Sequence, residues 1–307
     1  MSNIRILGYL STGSYASIFK IIHLPNRQKR VLKVLPKEKF RTDYKKQRVV
    51  LEKLIQFAAQ SQFVVAMYFA FEDHLNLYLG MEYAKYGDLS RFVRPVVTER
   101  LAKLFLAQMI LAIEYLHRCQ VVHRDLKLTN FFVFNDGYIK LGDLGLAKRI
   151  SDRTYTAFTA TPYVAPEMLT SDGHGRGVDF WSLGIILYRM LYNKHPFVDE
   201  NYQDQQLIDG IRAGVVRWPS GVDRDSAAAE LIKSLLKTRA AARLGNSRLG
   251  LAQLKRHKWL AEISFQRLVR KEIRFEVNLT SVRARRAGDF RPAPAGQAYD
   301  EEEFRGF

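Results

Sequence analysis

The run HRDLKLTN over residues 123–130 sets an acid, a base and an amide within a few positions, and DLG over residues 143–145 adds a second carboxylate. Phosphoryl transfer asks little covalent chemistry of a protein. One group must orient the attacking hydroxyl, and others must hold the metal that bridges the phosphates. Asp125 is suited to accept the hydroxyl's proton, Lys127 to sit against the transferring phosphoryl group, and Asn130 with Asp143 to hold Mg2+. A lone HRD recurs by chance. HRDLKxxN followed by DLG, and then by APE at residues 165–167, is far more specific than a loop of mutually satisfied polar residues.

Such residues need elements that position them. Residues 4–10 and 18–23 are apolar stretches on either side of a small-residue turn, and residues 30–35 continue a sheet. Residues 64–71 and 75–82 predict a hairpin turning at Asp73 and His74. Between them, residues 43–59 have the charge mix and spacing of a helix. From Asp88 onward helices dominate. Residues 99–118 carry Leu101, Leu104, Phe105, Leu111, Ala112 and Tyr115 near helical period, with Gln108 as an interruption. Residues 178–192 are apolar nearly all round, the mark of a helix buried through a core. After about Ser264 the period fades, Pro292, Pro294 and Gly296 appear, and the chain ends acidic and then aromatic. That is a tail wrapping onto something or a frayed end.

A chain of 307 residues with 47% hydrophobic and 26% charged residues is globular and long enough for two lobes. Forty-eight Lys and Arg against 31 Asp and Glu leave a formal charge of +17. The basic residues are spread along the chain, with only Arg283, Arg285 and Arg286 clustered and no nucleic-acid motif beside them. A solvated basic surface is therefore the better reading than a nucleic-acid binder. The one cysteine, Cys119, excludes an internal disulfide. Neither a signal peptide, nor a bilayer-length apolar segment, nor a glycine at position 2 for acylation is present. The expectation is a soluble protein of the cytoplasm or nucleus with no membrane anchor.

The assembled motifs resemble the eukaryotic protein kinase family over nearly the whole chain. The resemblance implies an α+β bilobal fold: a small antiparallel β-rich lobe with one key helix (residues 1–84), and a larger, mainly helical lobe (residues 85–263). A C-terminal tail (residues 264–307) would wrap back onto the small lobe. It implies ATP and Mg2+ as cofactors. Lys33, in RVLKVL, falls on the strand lysine that contacts the α- and β-phosphates, and Glu52 on its helix partner. The nucleotide-binding set carried over comprises Leu10, Ser11, Thr12, Gly13, Ser14, Tyr15, Ala16, Ile18, Val31, Lys33, Met81, Glu82, Ala84, Asp88, Phe132 and Asp143. Asp179 looks like the carboxylate that braces the catalytic loop, Arg243 like the partner of Glu167, and His123 like a packing residue beneath the site. Lys127, two residues after Asp125, implies Ser or Thr rather than Tyr as acceptor.

Three stretches, SQFVVAMYFAFEDHLNLYLGMEY, DLGLAKRISDRTYT and the terminal FRGF, are most similar to the basophilic branch with a C-terminal tail, the cAMP-dependent kinases. That similarity implies basic protein substrates and, as partners, a cAMP-binding regulatory subunit or a pseudosubstrate inhibitor. Phe304 and Phe307 would dock into the small lobe. Thr156 would be phosphorylated and received by Arg48, Arg124 and Lys148, with Arg153 three residues before it as the mark of self-recognition. Asp88 would pair with an Arg three positions before the acceptor, whereas Thr129 and Arg189 replace acids that would read an Arg at minus two.

The pattern is also broken in places. The glycine-rich loop keeps only Gly13. Ile18, Val31 and Phe132 crowd the adenine slot, and Gly142 returns some room there. Gln56 stands where an apolar residue normally packs behind Leu144, and a buried amide without a partner would loosen its helix by about 1–3 kcal/mol. The motif TATPY leaves open which of Ala160 and Thr161 supports Asp125. A pseudokinase, binding nucleotide or acting as a scaffold without transfer, is the alternative from another class. Retention of Lys33, Glu52, Asp125, Lys127, Asn130 and Asp143 together weighs against it.

Overall fold

The computed structural model describes residues 3–13, 15–93, 97–150, 154 and 161–275. The chain begins with three antiparallel strands, β1 (Ile4–Thr12), β2 (Ser17–His23) and β3 (Gln28–Pro36). They are followed by helix α1 (Asp43–Ala58), then β4 (Met67–Glu72) and β5 (Asn76–Glu82). Their order in the sheet is β1-β2-β3-β5-β4, every neighbour antiparallel. Alternation along the strands sends side chains to two small cores. Leu35, Leu77 and Leu79 meet Phe40, Val49 and Met67 on one face, while Phe19, Ile21, Leu32 and Tyr78 pack on the other. Thr42 caps α1 by accepting from Lys45 N–H.

The hairpin expected over residues 64–82 is shorter than its apolar run. Val64 does not extend β4. It forms an isolated parallel bridge with Leu141 of the large lobe, and Val65 N–H donates to the Leu141 carbonyl at 2.8 Å. A buried apolar run has no period that tells a strand from a connector between lobes. The turn itself lies where it was expected: Asp73 accepts from the backbone N–H groups of Leu75 and Asn76.

The large lobe is built on α2 (Glu99–Arg118) and α3 (Gly177–Tyr192). Between them lie the strand pairs β6 (Val121–Val122) with β9 (Lys148–Arg149) and β7 (Phe131–Val133) with β8 (Ile139–Leu141). Helices α4 (Asp204–Ala213), α5 (Ala227–Leu235), α6 (Gly250–Lys255) and α7 (Phe265–Val269) complete it. The last falls just after Ser264, whose side chain accepts from Arg267 N–H, so order continues past the point where the sequence period fades. One apolar core runs through α2, α3, α4 and α5 and reaches Ile55, Phe63 and Val64 of the small lobe. Gln108, the interruption in α2, is buried and fully used: it donates to the Leu104 carbonyl and accepts Ile139 N–H at 2.9 Å, pinning β8 to the helix. No helix among the described residues is long and apolar enough to cross a membrane.

Candidate active site

The cleft between the lobes gathers charged groups from distant parts of the chain. Lys33 stands on β3 between Ile18 of β2 and Leu79 of β5, its side chain only 13% exposed. Its Nζ lies 2.5 Å from Glu52 Oε1 and 3.3 Å from Asp143 Oδ1. Burial alone would favour a neutral amine, but Glu52 and Asp143 outweigh it and hold the Lys33 pKa above the ordinary lysine range. Conversely, the Lys33 charge depresses Asp143, whose side chain is half exposed, and this carboxyl stays ionised. Gly145 leaves room for this convergence, since a Cβ there would come within 3.2 Å of Glu52 Oε2.

Across the cleft, Lys127 Nζ donates to Asp125 Oδ2 at 2.7 Å. Asn130 gives its amide nitrogen to the Asp125 carbonyl at 2.8 Å and to Asp125 Oδ2 at 3.3 Å, which turns its own oxygen away from Asp125. Beneath them Asp179, almost fully buried at the start of α3, accepts from His123 N–H, Arg124 N–H and His117 Nε2 at 3.0, 2.9 and 2.7 Å. Burial would raise its pKa, but the His117 bond and the nearby histidines pull it below the usual carboxylate value. His123 is buried, as a packing residue should be. Its Nε2 donates to the Gly142 carbonyl, and its Nδ1 accepts from Asp125 N–H. Arg124 and Asp143 both hold positive φ, at 69° and 53°. Non-glycine residues in that region cost about 1–3 kcal/mol each and persist where surrounding structure over-determines them. The double acceptance by Asp179 does so for the segment containing Arg124.

Gln56 corrects one expectation. It is buried, but its Nε2 donates to the Val65 carbonyl, so the amide is not an orphan and α1 is fastened at this point rather than loosened. Gly142 is a second refinement. A Cβ there would meet the Phe132 ring at 2.8 Å, so the room it opens is taken by Phe132 itself. The apolar slot residues Leu10, Ile18, Val31, Met81, Ala84 and Phe132 are all partly exposed, while Ala16 is buried. Gly13 N–H donates to the Ala16 carbonyl, and a Cβ on Gly13 would meet nothing closer than 3.9 Å. The bare backbone at Gly13 is thus not demanded by the protein's own packing. Ser11, Thr12 and Tyr15 lie around it, with Thr12 Oγ1 hydrogen-bonded to Ser17 Oγ at 2.9 Å.

Asp88 caps a short turn by accepting from Ser90 N–H at 3.2 Å. Arg48 donates to the Gly145 carbonyl, Arg124 Nε to the Leu146 carbonyl at 2.8 Å, and Lys148 Nζ to Thr154 Oγ1 at 2.7 Å. Burial and the neighbouring Arg48 charge push the Arg124 pKa down to about 10, as expected where cations are gathered. Arg243 meets Glu167 with both terminal nitrogens, at 2.7 and 3.0 Å. Ser14, Arg153, Thr156, Phe304 and Phe307 lie outside the described residues.

Sequence reasoning missed His117 as a support of Asp179 and Lys140 as a partner of Glu82, which it holds at 2.7 Å. The signal for Lys140 was a charge between two buried apolar residues on a short strand; for His117 there was none, because its partner is far along the chain. Two cavities, of about 390 and 600 Å3, lie in the large lobe and contain none of these cleft residues.

A family model described as "protein kinase domain" matches residues 4–260. The cAMP-dependent protein kinase catalytic subunit of Dictyostelium discoideum is 35% identical over 267 residues, 86% of this chain and 40% of that protein. The catalytic subunit PRKX of Homo sapiens is 35% identical over 230 residues, 74% of this chain and 63% of that protein. Its counterpart in Mus musculus is 32% identical over 267 residues, 86% of this chain and 74% of that protein. The chain therefore spans only 40% and 63% of the length of the Dictyostelium and human relatives. With the match running from β1 to just past α6, over a cleft furnished in this way, the chain belongs to the protein kinase family.

Proposed function

We propose that the chain is a serine/threonine protein kinase, transferring the γ-phosphate of Mg-ATP to Ser or Thr of basic proteins. The observation that carries this reading is Lys33 bridging Glu52 and Asp143 at once, opposite the Asp125–Lys127 pair. The donor set fits a hard cation with phosphates: Asp143 is ionised and half exposed, Asn130 has its oxygen free of Asp125, and Gly13 leaves open space where a side chain would stand. When bound, Mg-ATP supplies the phosphoryl group and neutralises its developing charge. Asp125 orients the acceptor hydroxyl and takes its proton. Lys127 holds Asp125 in place and offers positive charge beside the transferring group, while Asn130 fixes the loop through the Asp125 carbonyl.

The finer assignments rest on the family resemblance. Thr156 is the activation phosphosite, received by Arg48, Arg124 and Lys148. Phe304 and Phe307 dock on the small lobe, and Asp88 reads an Arg three positions before the acceptor with little preference at minus two. That the relatives are cAMP-dependent catalytic subunits gives the reason to test a cAMP-binding regulatory subunit, or a pseudosubstrate inhibitor, as partner. A peptide array varying Arg at minus three and minus two tests substrate choice; equal dependence on both contradicts it.

The pseudokinase reading now has the altered glycine-rich loop and the crowded slot behind it, since Gln56 has a partner. Nucleotide binding without any phosphate transfer would favour it.

A further inference from the structure

Glu82 is the last residue of β5, within the segment assigned to the adenine ring (Met81, Glu82, Ala84). Its carboxylate is gripped from the other lobe: Lys140 Nζ lies 2.7 Å from both oxygens, with the two side chains only 13% and 20% exposed. Lys140 stands on β8 directly opposite Phe132 of β7, and its ammonium lies 4.7 Å from the Phe134 ring centroid. Glu82 is held on the small-lobe side as well. Its N–H donates to the Ala66 carbonyl at 2.9 Å, and Ala66 N–H approaches its Oε2 at 3.4 Å. Phe132 in turn fills the space above Gly142. One hairpin of the large lobe thus carries both the floor of the slot and the cation that fixes its rim. Arg30, across from Glu82 in the sheet, is no competitor, since its guanidinium is stacked on Tyr68 at 3.7 Å.

We propose that Lys140 is a positioning residue for nucleotide binding: through Glu82 it sets the end of β5 against the β7–β8 hairpin, fixing the width of the adenine slot between the lobes. This rests on reading the cleft as a nucleotide site. An exposed lysine–glutamate pair would do little, but this partly buried, charge-assisted pair, with the ammonium 2.7 Å from both oxygens, holds the end of β5 close to β8. Because Lys140 touches the rim and not the phosphate-binding residues, its loss is felt by the base and not by the triphosphate.

The experiment is calorimetric binding of adenosine, and separately of inorganic tripolyphosphate, to the full chain, with thermal melts of each variant. Lys140→Met and Glu82→Gln are each expected to weaken adenosine binding about five- to tenfold while leaving tripolyphosphate binding unchanged. The double variant should be no weaker than either single one, and Lys140→Arg should restore most of the affinity. Lower melting temperature with unchanged adenosine affinity would overturn the proposal and leave the pair a structural tie. Equal weakening of both probes would overturn it too. Failure of the unaltered protein to bind adenosine at all would count first against the nucleotide site itself.

Discussion

Asp125 and Lys127 already face one another at 2.7 Å, and Lys33 already spans two carboxylates, so the cleft is pre-arranged rather than waiting to be assembled. On the proposed roles, removing the Asp125 carboxylate would delete general-base and orienting functions. Asp125→Ala should lower kcat by about 10²–10⁴-fold while nucleotide affinity changes little, as single-turnover and binding measurements would separate; loss of binding in step with rate would assign the residue a structural role. Gln56 carries a prediction opposite to the one its sequence position invites. Gln56→Leu looks like a repair, yet it deletes the bond to the Val65 carbonyl, and denaturant unfolding should show a loss of about 1–3 kcal/mol. A stabilised variant would contradict the role assigned to that bond.

At the scale of elements, buried polar groups hold helix to loop. Arg243 is fully buried and joins Glu167 to the carbonyls of Gly177, Lys237 and Thr238. Truncating one partner of such a pair strands the other, so Arg243→Ala should cost about 3–5 kcal/mol in unfolding free energy. His195 ties the segment after α3 to the chain at Pro162. Its Nε2–H donates to the Pro162 carbonyl and its Nδ1 accepts Phe197 N–H, a neutral imidazole with both nitrogens used. Burial, opposed by the Pro162 bond and joined by the Arg189 charge, pushes its pKa down to about 4. The unfolded chain takes up that proton near 6.5 and the folded one only near 4, so stability contributed above pH 6.5 is lost as pH falls through that window. The melting temperature should drop between pH 7 and pH 5, and His195→Gln should blunt part of the drop. An unchanged slope in the variant would remove His195 from the account.

Much of the whole molecule was legible in the sequence. The strong periods gave α2 and α3 nearly to the residue, because long amphipathic or wholly buried helices leave clear patterns. Asp125, Asn130 and Asp143 stand out because spacing within a motif is local, whereas Lys33 and Glu52 came from the family resemblance; the structure brings Lys33, Glu52 and Asp143 together. What escaped was non-local. Val64 bonds to the other lobe instead of its own sheet, Gln56 has a partner, and the Lys140–Glu82 and His117–Asp179 bonds join segments that no period connects. The same scale bears on activation. If the Arg48, Arg124 and Lys148 cluster receives a phosphate, incubation with Mg-ATP should place one on Thr156, as mass spectrometry would map. Arg153→Ala should slow its appearance, and an undiminished rate would contradict self-recognition in trans.

The most direct test is phosphate transfer from Mg-ATP to an Arg-Arg-x-Ser peptide, run beside an Asp143→Ala control. The account predicts transfer that disappears in the control. No transfer, from protein shown to be folded and phosphorylated on Thr156, would contradict it and favour a pseudokinase.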